Sequence, residues 1–135
     1  MTAKRLKTKI EDKSAAKDYL KKAADNYQAM LSALQNRNFN AAGTLALQCA
    51  ISSADAICVY EKGVRSISGD HFDVCELVSS VSLPDAGEKT NVLKRIIGKK
   101  NLIQYEHRNI HETEAEEIVM ASSRFYQWAA SHILR

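Results

Sequence analysis

The sequence contains little that breaks or cross-links a chain. Its 135 residues include one proline and five scattered glycines, so it has no glycine-rich loop of the kind that binds nucleotide phosphates. The three cysteines, Cys49, Cys58 and Cys75, are odd in number and form no C-x-x-C pair. This argues against a zinc site and favours a reducing, cytoplasmic setting.

Targeting signals are also missing. The start, MTAKRLKTKIEDK, is charged and no apolar run follows it, so we expect no signal peptide. No stretch approaches the ~20 consecutive apolar residues of a membrane span. The composition, 45% hydrophobic and 26% charged, is typical of a soluble globular protein. We therefore predict a flexible polar tail at residues 1–10 and a single domain at residues 11–135.

The apolar residues that are present repeat with helical spacing. Segment 38–63 has apolar or small residues on nearly every side, which predicts a central helix buried by its neighbours. Further helices are predicted from 11 to about 35, from 71 to about 81, from 88 to about 107 and from 113 to about 134. With no alternating strand pattern, the prediction is an all-α, antiparallel up-and-down four-helix bundle with one additional short helix.

Two local signals concern the ends and interior of these helices. Thr113 and Glu116 have the spacing of a capping box at the start of the last helix. Gly98 weakens the predicted 88–107 helix, since a glycine inside a helix costs about 1 kcal/mol relative to alanine. On the last helix Phe125 and Trp128 predict packing in the core or in a dimer rather than base stacking. We expect a homodimer, because so many apolar faces exceed what one short bundle buries.

One acid interrupts the central apolar helix. Asp55 lies between two alanines, where an unpaired carboxylate would be costly. We expect it to bond a cation or an amide from segment 100–108, so its removal should destabilise the fold. The two together would form a polar binding groove made of Asp55, Lys100, Asn101, Gln104, Tyr105, His107 and Arg108. The alternative for segment 100–108 is a helix end whose cations interact only with the helix dipole.

No metal or cofactor is predicted. The four histidines form no H-E-x-x-H set, and a turn expected near Asn109 separates His107 from His111 despite their i, i+4 spacing. A nucleophilic triad is equally unsupported, because no serine or cysteine is marked as a nucleophile by its neighbours.

Two segments resemble the HEPN domain, an α-helical module named for higher eukaryotes and prokaryotes nucleotide-binding. The first, NFNAAGTLALQCAISSADAICVYEKGVRSISGDH at 38–71, resembles the family's helix with an acid in Ala-Asp-Ala, then Gly-x-Arg and a loop ending in Asp-His. The second, KKNLIQYEHRNIHETEAEEIVMASSRFYQWAASHIL at 99–134, resembles the Arg-Asn-x-x-x-His region and the helix after it.

The resemblance implies a binding function without the family's RNA-cleaving activity. In its nuclease members an arginine and a histidine, four to six residues apart, cleave RNA in a dimer groove. Here Lys100 replaces that arginine and Tyr105 that histidine. Lysine lacks the bidentate fork that grips phosphate, and tyrosine, with an ordinary pKa of about 10, exchanges no proton near neutral pH. The resemblance thus implies a non-catalytic module that binds a nucleotide, RNA or protein partner through its dimer groove.

That partner is expected to be a nucleotidyltransferase-like protein, as in the family's toxin–antitoxin and defence associations. Two other functions stay open. One is a metal-independent endoribonuclease with His107 as general base and Lys100 or Arg108 stabilising the developing charge. The other is a structural helical protein without a ligand site.

Overall fold

The computed structural model describes residues 6–134. Its helices are α1 (Ala16–Gln35), α2 (Phe39–Lys62), α3 (Phe72–Ser79), α4 (Ala86–Ile97), α5 (Lys100–Gln104) and α6 (Glu112–Ile133). Two three-residue strands, β1 (Thr8–Ile10) and β2 (Val64–Ser66), form an antiparallel pair. The all-α bundle predicted from the periodicity is confirmed.

Helix α2 is the centre of the bundle and packs against both α1 and α6. Small residues repeat along it every four positions, at Ala42, Ala46, Ala50 and Ala54, and all four are fully buried. Side chains this short allow the backbones of neighbouring helices to approach closely. The helix ends at Gly63, whose left-handed backbone (φ 68°) turns the chain away from the helical path.

The prediction that no segment has the length and composition of a membrane span was wrong. Helix α2 is long and apolar enough to cross a membrane, although two thirds of its most apolar window (67%) is buried inside the bundle. The core helix of a soluble protein passes the same test of length and composition. Burial by α1 and α6 is thus compatible with a soluble protein.

The helix predicted at 88–107 is interrupted. Helix α4 ends at Ile97, and α5 begins only at Lys100. Gly98 occupies the break, where the Lys99 N–H donates to the carbonyl of Ile96 in a tighter, three-residue turn (3.0 Å). The low helix propensity of glycine explains why the break falls at this residue.

The start of α6 also differs from its prediction. The capping residue is His111, with an extended backbone, and not Thr113. The carboxylate of Glu114 accepts a hydrogen bond from the His111 backbone N–H (2.9 Å). Helix α6 therefore starts two residues earlier than the Thr113–Glu116 spacing predicted.

The predicted flexible tail at 1–10 is partly folded. Residues 1–5 lie outside the described part of the chain, whereas residues 8–10 form β1. Lys9 is paired in register with Arg65 of β2, and the Glu11 N–H donates to the Gly63 carbonyl (2.9 Å). A strand of three residues is too short to show an alternating pattern, so no periodicity predicted it.

The aromatic side chains of α6 pack in the core. Phe125 is fully buried and Trp128 nearly so, and the Trp128 indole N–H donates to the carboxylate of Asp85 (2.9 Å). This confirms core packing as their role. It also removes these two residues as a source of exposed apolar surface for a dimer, which remains a prediction.

Candidate functional site

A pocket of about 280 Å³ lies between α2, β2 and the start of α3. We call it the Arg65 pocket. Apolar side chains, among them Ile51 and Val74, form part of its wall. The polar lining residues are Asp55, Arg65, Ser66, Ser68 and His71.

Asp55 is buried in this lining, with 9% of its surface exposed, as the sequence predicted. Its partner is not segment 100–108, however. The nearest cation is Arg65, whose Nη1 lies 3.7 Å from Asp55 Oδ2. The left-handed turn at Gly63 directs β2 back along the last turns of α2, and this brings Arg65 to Asp55.

The contact between Asp55 and Arg65 is an ion pair without a hydrogen bond, because 3.7 Å exceeds hydrogen-bonding distance. Burial raises the pKa of the Asp55 carboxyl from its ordinary 3.8 to about 6, although Arg65 and Lys22 oppose the shift. The two cations therefore do not offset the loss of hydration. Asp55 consequently gains or loses its proton just below neutral pH.

Arg65 has hydrogen-bond donors to spare. Its Nε is buried and has no hydrogen-bond partner among residues 6–134. The carboxylate of Glu11 is 3.9 Å from this nitrogen, and the guanidinium lies over the ring of Tyr19, 5.3 Å from its centroid. The side chain is still 32% exposed. Arg65 is thus held in place by neighbours that leave its buried Nε without a hydrogen bond, while part of the side chain remains exposed.

His71 also lines a second pocket, of about 210 Å³. The second pocket is lined by Asp70, His71, Phe72, Ile97, Gly98, Lys100 and Asn101. We call it the Phe72 pocket. Burial, and then the charge of Lys100, lowers the pKa of the His71 imidazole. Two residues of the predicted groove, Lys100 and Asn101, therefore line the Phe72 pocket, which is next to the pocket that contains Asp55.

The rest of the predicted groove lies outside both linings. Gln104 and His107 are exposed, and Tyr105 is 71% exposed. Arg108 makes a bidentate pair with Glu114, with two nitrogen–oxygen distances of 2.8 Å. These bonds, chiefly, lower the pKa of Glu114 to about 2. The fork of Arg108 is thus occupied by the start of α6.

Sequence reasoning did not assign Arg65, Ser66, Ser68, His71 or Phe72 to the site. Two signals were present, since Arg65 closes the Gly-x-Arg motif and His71 the Asp-His motif on which the resemblance rested. Neither motif revealed that a strand would carry Arg65 to Asp55.

Residues 6–134 contain no group of three or more His, Cys, Asp or Glu side chains placed to hold a metal ion. Comparison of the chain with protein-family models, with curated proteins and with solved structures gives no match. The two pockets are therefore the features of the chain that indicate a function.

Proposed function

We propose that the chain is a non-catalytic helical binding module that holds a phosphate group of a nucleotide or of RNA in the Arg65 pocket. The observation that carries the proposal is the partly exposed Arg65 side chain in the pocket wall, whose buried Nε has no hydrogen-bond partner among residues 6–134. Arginine binds phosphate through two parallel N–H···O bonds, and each such charge-assisted bond is stronger than a neutral one.

Hydroxyl groups supply further donors. The Ser66 hydroxyl oxygen accepts a hydrogen bond from the Ser68 N–H (3.3 Å). Among residues 6–134 the Ser66 hydroxyl proton has no acceptor, so it can be donated to a ligand. The Ser68 hydroxyl instead donates to Asp73 (2.6 Å). A phosphate in the pocket would thus meet the guanidinium of Arg65 and the hydroxyl of Ser66.

Asp55 sets how strongly an anion is held. When ionised, its carboxylate cancels part of the Arg65 charge at a distance of 3.7 Å. When protonated or replaced by a neutral side chain, it leaves that charge to the ligand. We therefore expect Asp55 to weaken anion binding at neutral pH and its neutral variants to strengthen it.

The separation of the three candidate catalytic residues supports a module without RNA-cleaving activity. Lys100 lines the Phe72 pocket, Arg108 is occupied by Glu114, and His107 is exposed outside both linings. General acid–base catalysis needs the base within hydrogen-bonding reach of the proton that it moves, close to the groups that stabilise the charge. The endoribonuclease alternative gains no support from this arrangement.

The resemblance to HEPN modules extends the proposal to the protein's context. We expect a cytoplasmic homodimer that works with a nucleotidyltransferase-like protein. The three cysteines, all buried and unpaired, fit a reducing compartment. Light scattering tests the dimer.

The phosphate site is tested by titrating ¹⁵N-labelled protein with inorganic phosphate and following the amide signals. We expect saturable shifts at Ser66, Ser68 and His71. Arg65→Gln should weaken binding by about tenfold or more, since a hydrogen bond to a charged group contributes about 1.5–3 kcal/mol. The control, Arg124→Gln, removes the same charge from an exposed position on α6 and should change affinity less than about twofold. Equal binding by wild type and Arg65→Gln would contradict the proposal.

A further inference from the structure

We infer that the ligand is a single nucleotide unit with an unpaired base, its phosphate at Arg65 and its base against Phe72. The inference rests on the proposed phosphate site and adds to it the chemical class of the ligand and its orientation. It comes from the second pocket, which a phosphate alone would leave unused.

The volumes of the two pockets suit a ligand larger than phosphate. The Arg65 pocket holds about 280 Å³ and the Phe72 pocket about 210 Å³. Small-molecule sites usually measure roughly 300–1,000 Å³, so each pocket alone is below that range and the two together fall within it. His71 lines both, so the two pockets are neighbours, and the inference is that one ligand occupies both.

The exposed ring of Phe72 offers a surface on which a base can stack. Phe72 is 47% exposed at the start of α3, while the inner face of that helix is buried through Val74, Cys75, Leu77 and Val78. The ring therefore contributes little to the core. Single-stranded nucleic-acid sites use such rings as stacking surfaces, because every base has an apolar face.

The polar neighbours of Phe72 suit a base edge. The Asn101 side chain offers both a donor and an acceptor, which matches the mixed edge of an unpaired base. Lys100 and Asp70 line the same pocket with opposite charges. The guanidinium with an unsatisfied Nε lies in the other pocket, so the phosphate belongs there and the base beside Phe72. Stacking on Phe72 also requires an unpaired base, which argues for a mononucleotide or single-stranded RNA and against a duplex.

The test compares inorganic phosphate, AMP, adenosine, a single-stranded RNA and the corresponding RNA duplex by calorimetry with the full chain. We expect AMP to bind roughly tenfold tighter than phosphate, in line with the stacking of one base. We also expect AMP to bind tighter than adenosine, and single-stranded RNA tighter than duplex. If the single strand binds more tightly than AMP, RNA is the source of the nucleotide unit; if not, the source is a free nucleotide.

Two variants separate stacking from phosphate binding. Phe72→Leu should weaken AMP binding roughly tenfold and leave phosphate binding unchanged. Tyr105→Leu removes an aromatic ring that is 71% exposed and lies outside both linings, so it should change neither affinity by more than about twofold. Equal affinity for AMP and phosphate, or equal AMP affinity in Phe72→Leu and wild type, would overturn the inference while leaving the phosphate site intact. Absence of binding by both phosphate and AMP would overturn the proposed function itself.

Discussion

Replacing Asp55 by asparagine should stabilise the protein at neutral pH, which reverses the destabilisation expected from a bond with segment 100–108. The buried carboxyl has a pKa of about 6 in the folded state against 3.8 ordinarily. At about 1.36 kcal/mol per pH unit, this difference corresponds to roughly 3 kcal/mol by which ionised Asp55 lowers the free energy of unfolding. The asparagine amide must itself be buried, so the net gain expected at pH 7.5 is about 1–3 kcal/mol.

The pH dependence gives the prediction its sign. Between pH 3.8 and about 6 the folded state binds the Asp55 proton more tightly than the unfolded state, so the stability contributed by this group falls as pH rises through that range. Above it, the full cost of the buried charge is present. The stabilisation by Asp55→Asn should therefore be largest at pH 7.5 and should shrink steadily towards pH 4.5.

Urea unfolding followed by circular dichroism at pH 4.5, 6 and 7.5 measures this difference. The control is Asp25→Asn, because Asp25 is an exposed acid on α1 whose only described pair is with Lys21 (2.6 Å). Removing that surface pair should change the free energy of unfolding by less than about 1 kcal/mol. If Asp55→Asn instead lost several kcal/mol at pH 7.5, the pair with Arg65 would be net stabilising, and the reasoning from burial would be refuted.

Three further predictions concern the bundle and its assembly. Trp128→Phe should cost about 1–3 kcal/mol in denaturant unfolding, because it leaves the Asp85 carboxylate without its indole donor; a cost near zero would show that water replaces the bond. Phe125→Ala should cost about 3–5 kcal/mol, whereas Met120→Ala, 55% exposed on the same helix, should cost less than about 0.5; equal costs would place Phe125 outside the core. Light scattering should give twice the 15.0 kDa chain mass at micromolar concentration, and 15.0 kDa would contradict the dimer.

The bundle could be predicted because its long helices carry an uninterrupted apolar repeat. Segment 38–63 has this property over more than six turns, and the structure gives α2 nearly the predicted bounds. The interruption at Gly98 was harder to predict, since a single glycine is often tolerated inside a helix. The start of α6 was also hard to predict, because two nearby residues could cap the helix and His111, not Thr113, does so.

The candidate site was less predictable, because its key contact depends on a long-range strand pair. The burial of Asp55 could be predicted from its apolar neighbours, but its partner could not. Strand β2 is only three residues long, and its pairing with β1 joins residues more than fifty positions apart. No periodicity marks such a short strand, so the place of Arg65 beside Asp55 becomes visible only in the folded chain.

The most direct test of the account is a titration of wild type, Arg65→Gln and Asp55→Asn with sulfate at pH 7.5. Sulfate has a single ionisation state at this pH, whereas phosphate has two. The account predicts saturable binding by wild type, binding at least about tenfold weaker in Arg65→Gln, and tighter binding in Asp55→Asn. Wild-type protein that shows no saturable binding, or three proteins with the same affinity, would contradict it.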